Sequence, residues 1–98
     1  MTDLCEAMKK FGKGIGSVSR YRIVEALFSG PKTVGGLAEK TKQSQPLMSQ
    51  HLRVLKETGL VQDERQGQEV FYTLNTEYTI RLLKRLSEEL KPKKKRKT

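Results

Sequence analysis

The chain has 98 residues, 35% of them hydrophobic, a single cysteine and a formal net charge of +9. That length suits one domain with a thin core, and a thin core often gains stability from a partner chain. No apolar run approaches the roughly 20 residues of a membrane helix and none near the N-terminus resembles a signal peptide, so a cytoplasmic protein without membrane contact is expected. The lone Cys5 excludes an internal disulfide and any multi-cysteine metal site.

The charge is unevenly spread. Lys91, Lys93, Lys94, Lys95, Arg96 and Lys97 crowd the tail KPKKKRKT and leave only +3 on the remainder. Residues 1–90 therefore form a mildly basic domain, and 91–98 are expected to be a disordered basic tail, because like charges at that density repel and bury nothing. A polyanion partner fits this balance without being required by it.

Leu4, Ala7, Met8 and Phe11 recur at helical spacing and predict a first helix. The GKGIG run, Gly12 to Gly16, is expected to break it as a flexible joint. Ser17 or Ser19 can cap a second helix, whose apolar positions include Val18, Tyr21, Val24, Leu27 and Phe28. Gly30-Pro31 ends it. Thr33 is a fair cap for a short third helix with Val34, Leu37 and Ala38 inward. Gly35 and Gly36 weaken that helix by roughly 1 kcal/mol each relative to Ala.

After the turn-like KTKQS, the stretch SQPLMSQHLRVLKETGLV, Ser44 to Val61, has a marked start and stop. Ser44 can accept from an orphan amide, Pro46 is tolerated in the first turn, and Gly59 suits a left-handed cap. Met48, Leu52 and Leu55 share one edge, and Gln45, Ser49, Gln50 and Arg53 share the other. The pattern then changes period. Val61 to Arg65 and Val70 to Leu74 read as strands around a Gln66-Gly67-Gln68 tip. A last helix begins near Thr76, with Tyr78, Leu82, Leu86 and Leu90 at every fourth position and Ile80 and Leu83 widening the stripe. The order α-α-α-α-β-β-α, mainly α with a small β-hairpin, describes a winged helix-turn-helix.

The segment SRYRIVEALFSGPKTVGGLAEKTKQSQPLMSQHLRVLKETGLV, followed by RQGQEVFYTL, resembles the ArsR/SmtB family of winged helix-turn-helix transcriptional regulators. Arg20 matches the arginine that opens the family's second helix. Ser44-Gln45 matches the start of its reading helix, and Ser49, His51, Leu52 and Leu55 match its Ser-x-His-Leu-x-x-Leu core. Gly59, Leu60 and Val61 match its approach to the wing. The resemblance reaches to about Leu90. It implies a homodimer paired through the first and last helices that binds operator DNA, usually as a repressor, and releases it on a signal. The expected dimer contacts are Leu4, Ala7, Met8, Phe11, Tyr78, Leu82, Leu83, Leu86 and Leu90.

An α-helix fits the major groove of double-stranded DNA, and its N-terminal half reaches base edges through short polar groups and amides. Ser44, Gln45, Pro46, Ser49, Gln50 and Arg53 are the candidate readers, against the plainer reading of a solvated face. Thr33 is a candidate backbone contact, His51 has either a structural role or a phosphate contact, and Lys42, Lys56 and Arg20 are either phosphate contacts or plain surface charges. Arg65, Gln66 and Gln68 flank the wing tip, where arginine can enter the minor groove or hold phosphate. A merely solubilising hairpin is the alternative.

The family's metal sensors keep a cysteine pair in the third helix or zinc ligands on the last. TVGGLAEKT has neither Cys nor His, and TEYTIRLLKRLSEEL has no His. No metal and no cofactor are therefore expected, and the effector is open. Cys5 is either a small residue beside the dimer helix or a thiol that pairs with its symmetry mate or takes an oxidative cap. PKKKRK, Pro92 to Lys97, matches a nuclear import pattern, which has no use in a bacterial family. A nonspecific DNA tether suits it better, which would make the protein nucleoid-associated; a solubilising tail is the alternative. A winged-helix module for protein contact is the rival class. An enzyme is not expected, with one His, no paired carboxylates and no phosphate-cradling glycine motif.

Overall fold

The computed structural model describes residues 3–92. The basic tail from position 93 onward lies outside the described residues, so its expected disorder and DNA tethering concern residues that are not described. Five helices and one hairpin follow in the order α1 (Leu4–Ile15), α2 (Val18–Ala26), α3 (Val34–Thr41), α4 (Gln45–Glu57), β1 (Val61–Gln66), β2 (Glu69–Leu74) and α5 (Thr76–Leu90). This is the winged helix-turn-helix expected from the sequence. No helix among the described residues is long and apolar enough to cross a membrane.

Each α-helix starts on a side chain that satisfies an orphan amide. Asp3, Ser17, Thr33, Ser44 and Asn75 accept from the backbone N–H three residues on. Of the two serines proposed for α2, Ser17 is the cap. Thr58 closes α4, its hydroxyl donating to the Leu55 carbonyl at 2.7 Å and accepting from the Leu60 amide at 3.3 Å. Gly59 follows with φ of 86°, the left-handed turn for which glycine is suited.

The GKGIG run does not break the first helix, because α1 continues through it to Ile15. Contact explains this better than propensity. A Cβ at Gly14 would lie 2.7 Å from Leu60 Cδ1 and 3.2 Å from Thr58 Oγ1. Glycine thus lets α1 rest directly on the loop that ends α4.

The inward face of α2 also differs from expectation. Ile23, Ala26 and Leu27 are buried, whereas Val18, Tyr21 and Phe28 are exposed. The sequence holds two apolar stripes on α2, and only one faces α3 and α4. The core lies there, under Leu37, Met48, Leu52, Leu55 and Val61. Leu27–Ser29 tighten into a 3-10 turn before Gly30.

The strands pair antiparallel, Val61 opposite Leu74 and Gln66 opposite Glu69, leaving a Gly67-Gln68 tip. A one-residue bridge not foreseen in the sequence joins Lys32 to Tyr72, with amide-to-carbonyl bonds of 2.8 and 3.1 Å. It ties the base of the wing to the residue just before the α3 cap.

Candidate nucleic-acid interface

The edge of α4 that faces inward is fixed by burial. Met48 is 0% exposed, Leu52 1% and Leu55 0%. The helix therefore cannot rotate without opening the core, and its other edge points outward. Gln45, Pro46, Ser49, Gln50 and Arg53 are all exposed on that outward edge. Ser44 is exposed too, but its hydroxyl is already engaged, accepting from the Leu47 amide at 3.3 Å. Gln45 lies over α3, its amide nitrogen 3.5 Å from where a Cβ on Gly35 would sit. Two helix N-termini, those of α3 at Thr33 and α4 at Ser44, thus belong to one helix-turn-helix unit with short polar groups at each start.

His51 is half-buried. Burial first, and the nearby Arg20 guanidinium second, hold its imidazole below the ordinary value of 6.5. It is therefore neutral near pH 7, with one ring nitrogen able to donate and the other to accept.

Arg20 has a role the sequence did not suggest. Its Nε donates to the Lys13 and Gly14 carbonyls at 3.1 Å each, and Nη2 donates to Lys13 at 2.7 Å. Arg20 caps the C-terminus of α1, so two nitrogens of its guanidinium are engaged within the chain. Lys56 is likewise engaged. Its ammonium lies 2.7 Å from the Asp63 carboxylate, and that hydrogen bond raises its pKa despite partial desolvation. The pair ties the last turn of α4 to β1.

The wing is less basic than a DNA-directed reading would suggest. Strand residues Asp63, Glu64 and Glu69 oppose a single cation, Arg65. Arg65 Nη1 donates to the Gly67 carbonyl at 3.4 Å, which folds the side chain back on the tip. Gln66 and Gln68 are exposed beside it, and Gly67 makes the turn at φ of 66°.

The expected dimer residues divide. Ala7 and Leu82 are buried within the single chain, at 1% and 3%, so their side chains are already covered. Leu4, Met8, Phe11, Tyr78 and Leu86 are half-buried. Tyr78 packs over Gly59, its ring carbon 3.3 Å from a Cβ placed there. Leu83 and Leu90 are exposed. Cys5 is exposed on the first turn of α1. Among the described residues no three His, Cys, Asp or Glu side chains gather as they would around a metal ion.

The family described as "Bacterial regulatory protein, arsR family" matches residues 17–63, from the α2 cap to the start of the wing. Transcriptional repressor SdpR of Bacillus subtilis is 38% identical over 69 residues, covering 70% of this chain and 77% of SdpR. The chain belongs to the ArsR family. The structure of HlyU from Vibrio cholerae, a family relative named as a transcriptional activator, superposes with a TM-score of 0.71 at 35% identity, covering 88% of this chain and 97% of that one. The homodimeric winged helix-turn-helix DNA-binding domain of Mb0332 from Mycobacterium bovis gives a TM-score of 0.74 at 26% identity, covering 91% and 92%. The chain spans about half the length of several other ArsR relatives. Within the ArsR fold, the Lys56–Asp63 pair ties α4 of this chain to the wing, and the Arg20 cap ties α2 to α1.

Proposed function

We propose that the chain is a sequence-specific DNA-binding transcriptional regulator, acting as a cytoplasmic repressor that binds a palindromic operator as a homodimer. The division of α4 carries this reading: three apolar anchors sealed inward, and exposed amides and hydroxyls outward along its N-terminal half. Amides of Gln45 and Gln50 suit the N6 and N7 edge of adenine, Ser49 is permissive, and Pro46 suits a thymine methyl. Arg53, one turn on, suits guanine or phosphate. Thr33, Lys42 and neutral His51 are assigned to the sugar–phosphate backbone, and Arg65, Gln66 and Gln68 to the groove beside the wing. Lys56 is assigned to holding the wing in place, given its pairing with Asp63.

The dimer rests on uncovered apolar surface. Phe28, Ile80, Leu83 and Leu90 are exposed at 64%, 50%, 44% and 72%. Phe28, Ile80 and Leu83 share an apolar groove of about 560 Å³ with Phe11 and Ile15 of α1, and no charged side chain among the described residues lines it. A second copy seated on α1 and α5 would cover much of that surface and set two reading helices about one DNA turn, roughly 34 Å, apart. The homodimeric Mycobacterium bovis domain and the repressor SdpR support the same assignment. The reading needs neither metal nor cofactor.

Gln50→Ala tests it. Operator affinity should fall by about 1–3 kcal/mol while affinity for random duplex stays nearly constant. Equal losses on both DNAs would show that Gln50 is not a base reader.

A further inference from the structure

A second charged feature borders the N-terminus of α4. Arg22 of α2, Lys40 in the last turn of α3 and Lys42 in the following turn line one recess of about 410 Å³ with Glu25, Ala26 and Thr41. Among the described residues none of these three cations makes an ion pair. Three cations therefore face one carboxylate, Glu25, in a concavity open to solvent.

Lys42 adds an independent observation. Its φ of 60° and ψ of 43° put it in the left-handed region, and it is the sole non-glycine residue at positive φ among those described. The backbone there ends α3, the Gln43 amide donating back to the Ala38 carbonyl at 3.0 Å. Glycine or asparagine suits that position, because a Cβ is crowded by the neighbouring carbonyl. Lysine is the wrong residue for the backbone and a suitable one for a phosphate. Strain of this kind concentrates where a side chain is needed for binding.

The position matters as much as the charge. Lys42 stands two residues before Ser44, the cap of the helix whose start reaches bases in the proposed complex. Any duplex that receives the N-terminus of α4 brings its sugar–phosphate strand past the same turn. We infer that Arg22, Lys40 and Lys42 form a phosphate clamp that grips the DNA backbone beside the reading helix and adds affinity without reading sequence. This rests on the DNA-binding function proposed above. Glu25 works against the clamp and holds its strength in check.

The test is a salt titration of binding to a labelled random-sequence duplex, with melting temperatures recorded in parallel. Lys42→Gly, Arg22→Gln and Lys40→Gln should each flatten the plot of log K against log salt by about 0.9, equivalent to roughly eightfold weaker binding at 0.1 M salt. Lys42→Gly should melt at the same or a higher temperature, since it relieves the backbone. Glu25→Gln should bind more tightly. If the wild-type chain binds the duplex but the three cation variants keep its slope and affinity, the clamp is wrong and the DNA reading stands. A wild-type chain that fails to bind duplex even at low salt overturns both. If a fluorescent poly-glutamate peptide binds, and Lys42→Gly abolishes that binding while duplex affinity holds, the recess belongs to an acidic protein segment and the clamp is overturned.

Discussion

α4 and α5 carry apolar stripes of similar length and dispose of them differently. α4 seals Met48, Leu52 and Leu55 inside its own chain. α5 buries Leu82 alone and leaves Ile80, Leu83 and Leu90 exposed. α4 meets most of its hydrophobic demand within the protomer, Leu47 at 40% exposure being the exception, and can offer its polar edge to something else. α5 retains a larger demand, which a second surface would satisfy at about 25 cal/mol for each Å² removed from water. One region is nearly finished and presents a chemical edge. The other is unfinished and presents an apolar one.

Substitutions that respect or violate that difference should separate the two regions. The largest effect belongs under α4. Leu52→Ala removes a core side chain 1% exposed and should cost about 2–5 kcal/mol of stability, read by urea unfolding. A cost of a few tenths would mean that α4 is not anchored as described. Next comes α5, where adjacent residues should part company. Leu83→Asp should leave a folded chain whose dimer is weakened by on the order of thirtyfold, read by sedimentation across concentration. Leu82→Asp should unfold it, because an unpaired charge would be buried. Identical behaviour of the two would erase the distinction drawn within that helix. The smallest effect is at the wing. Arg65→Ala should weaken binding across all sequences and flatten the salt dependence by about 0.9. An unchanged slope would remove the wing from the DNA contacts.

Much of this architecture is legible in the sequence where local signals agree. The α4 cap, its Pro46, its apolar edge and Gly59 all point to one helix. The Gly67 hairpin tip is legible for the same reason. The misreadings arise where a long-range contact overrides a local rule. Glycine in GKGIG reads as a break, yet Gly14 serves the approach of Leu60, which is distant in sequence. Two apolar stripes on α2 cannot be ranked until α3 and α4 are in place. The ties of Arg20 and Lys56 are not legible in the sequence, because their partners, the α1 carbonyls and Asp63, meet them only in the fold. The left-handed Lys42 follows a short helix without a glycine to signal it, so the strain there emerges only from the backbone.

A dimer of this chain that reads DNA through α4 must leave its preference in the sequences it binds. Selection of bound duplexes from a random DNA pool at near-physiological salt reads that preference. A palindromic motif with half-sites about one helical turn apart should be enriched, and lost when Gln50 is changed to Ala. A bound pool no different in sequence from the starting one would contradict DNA reading through α4.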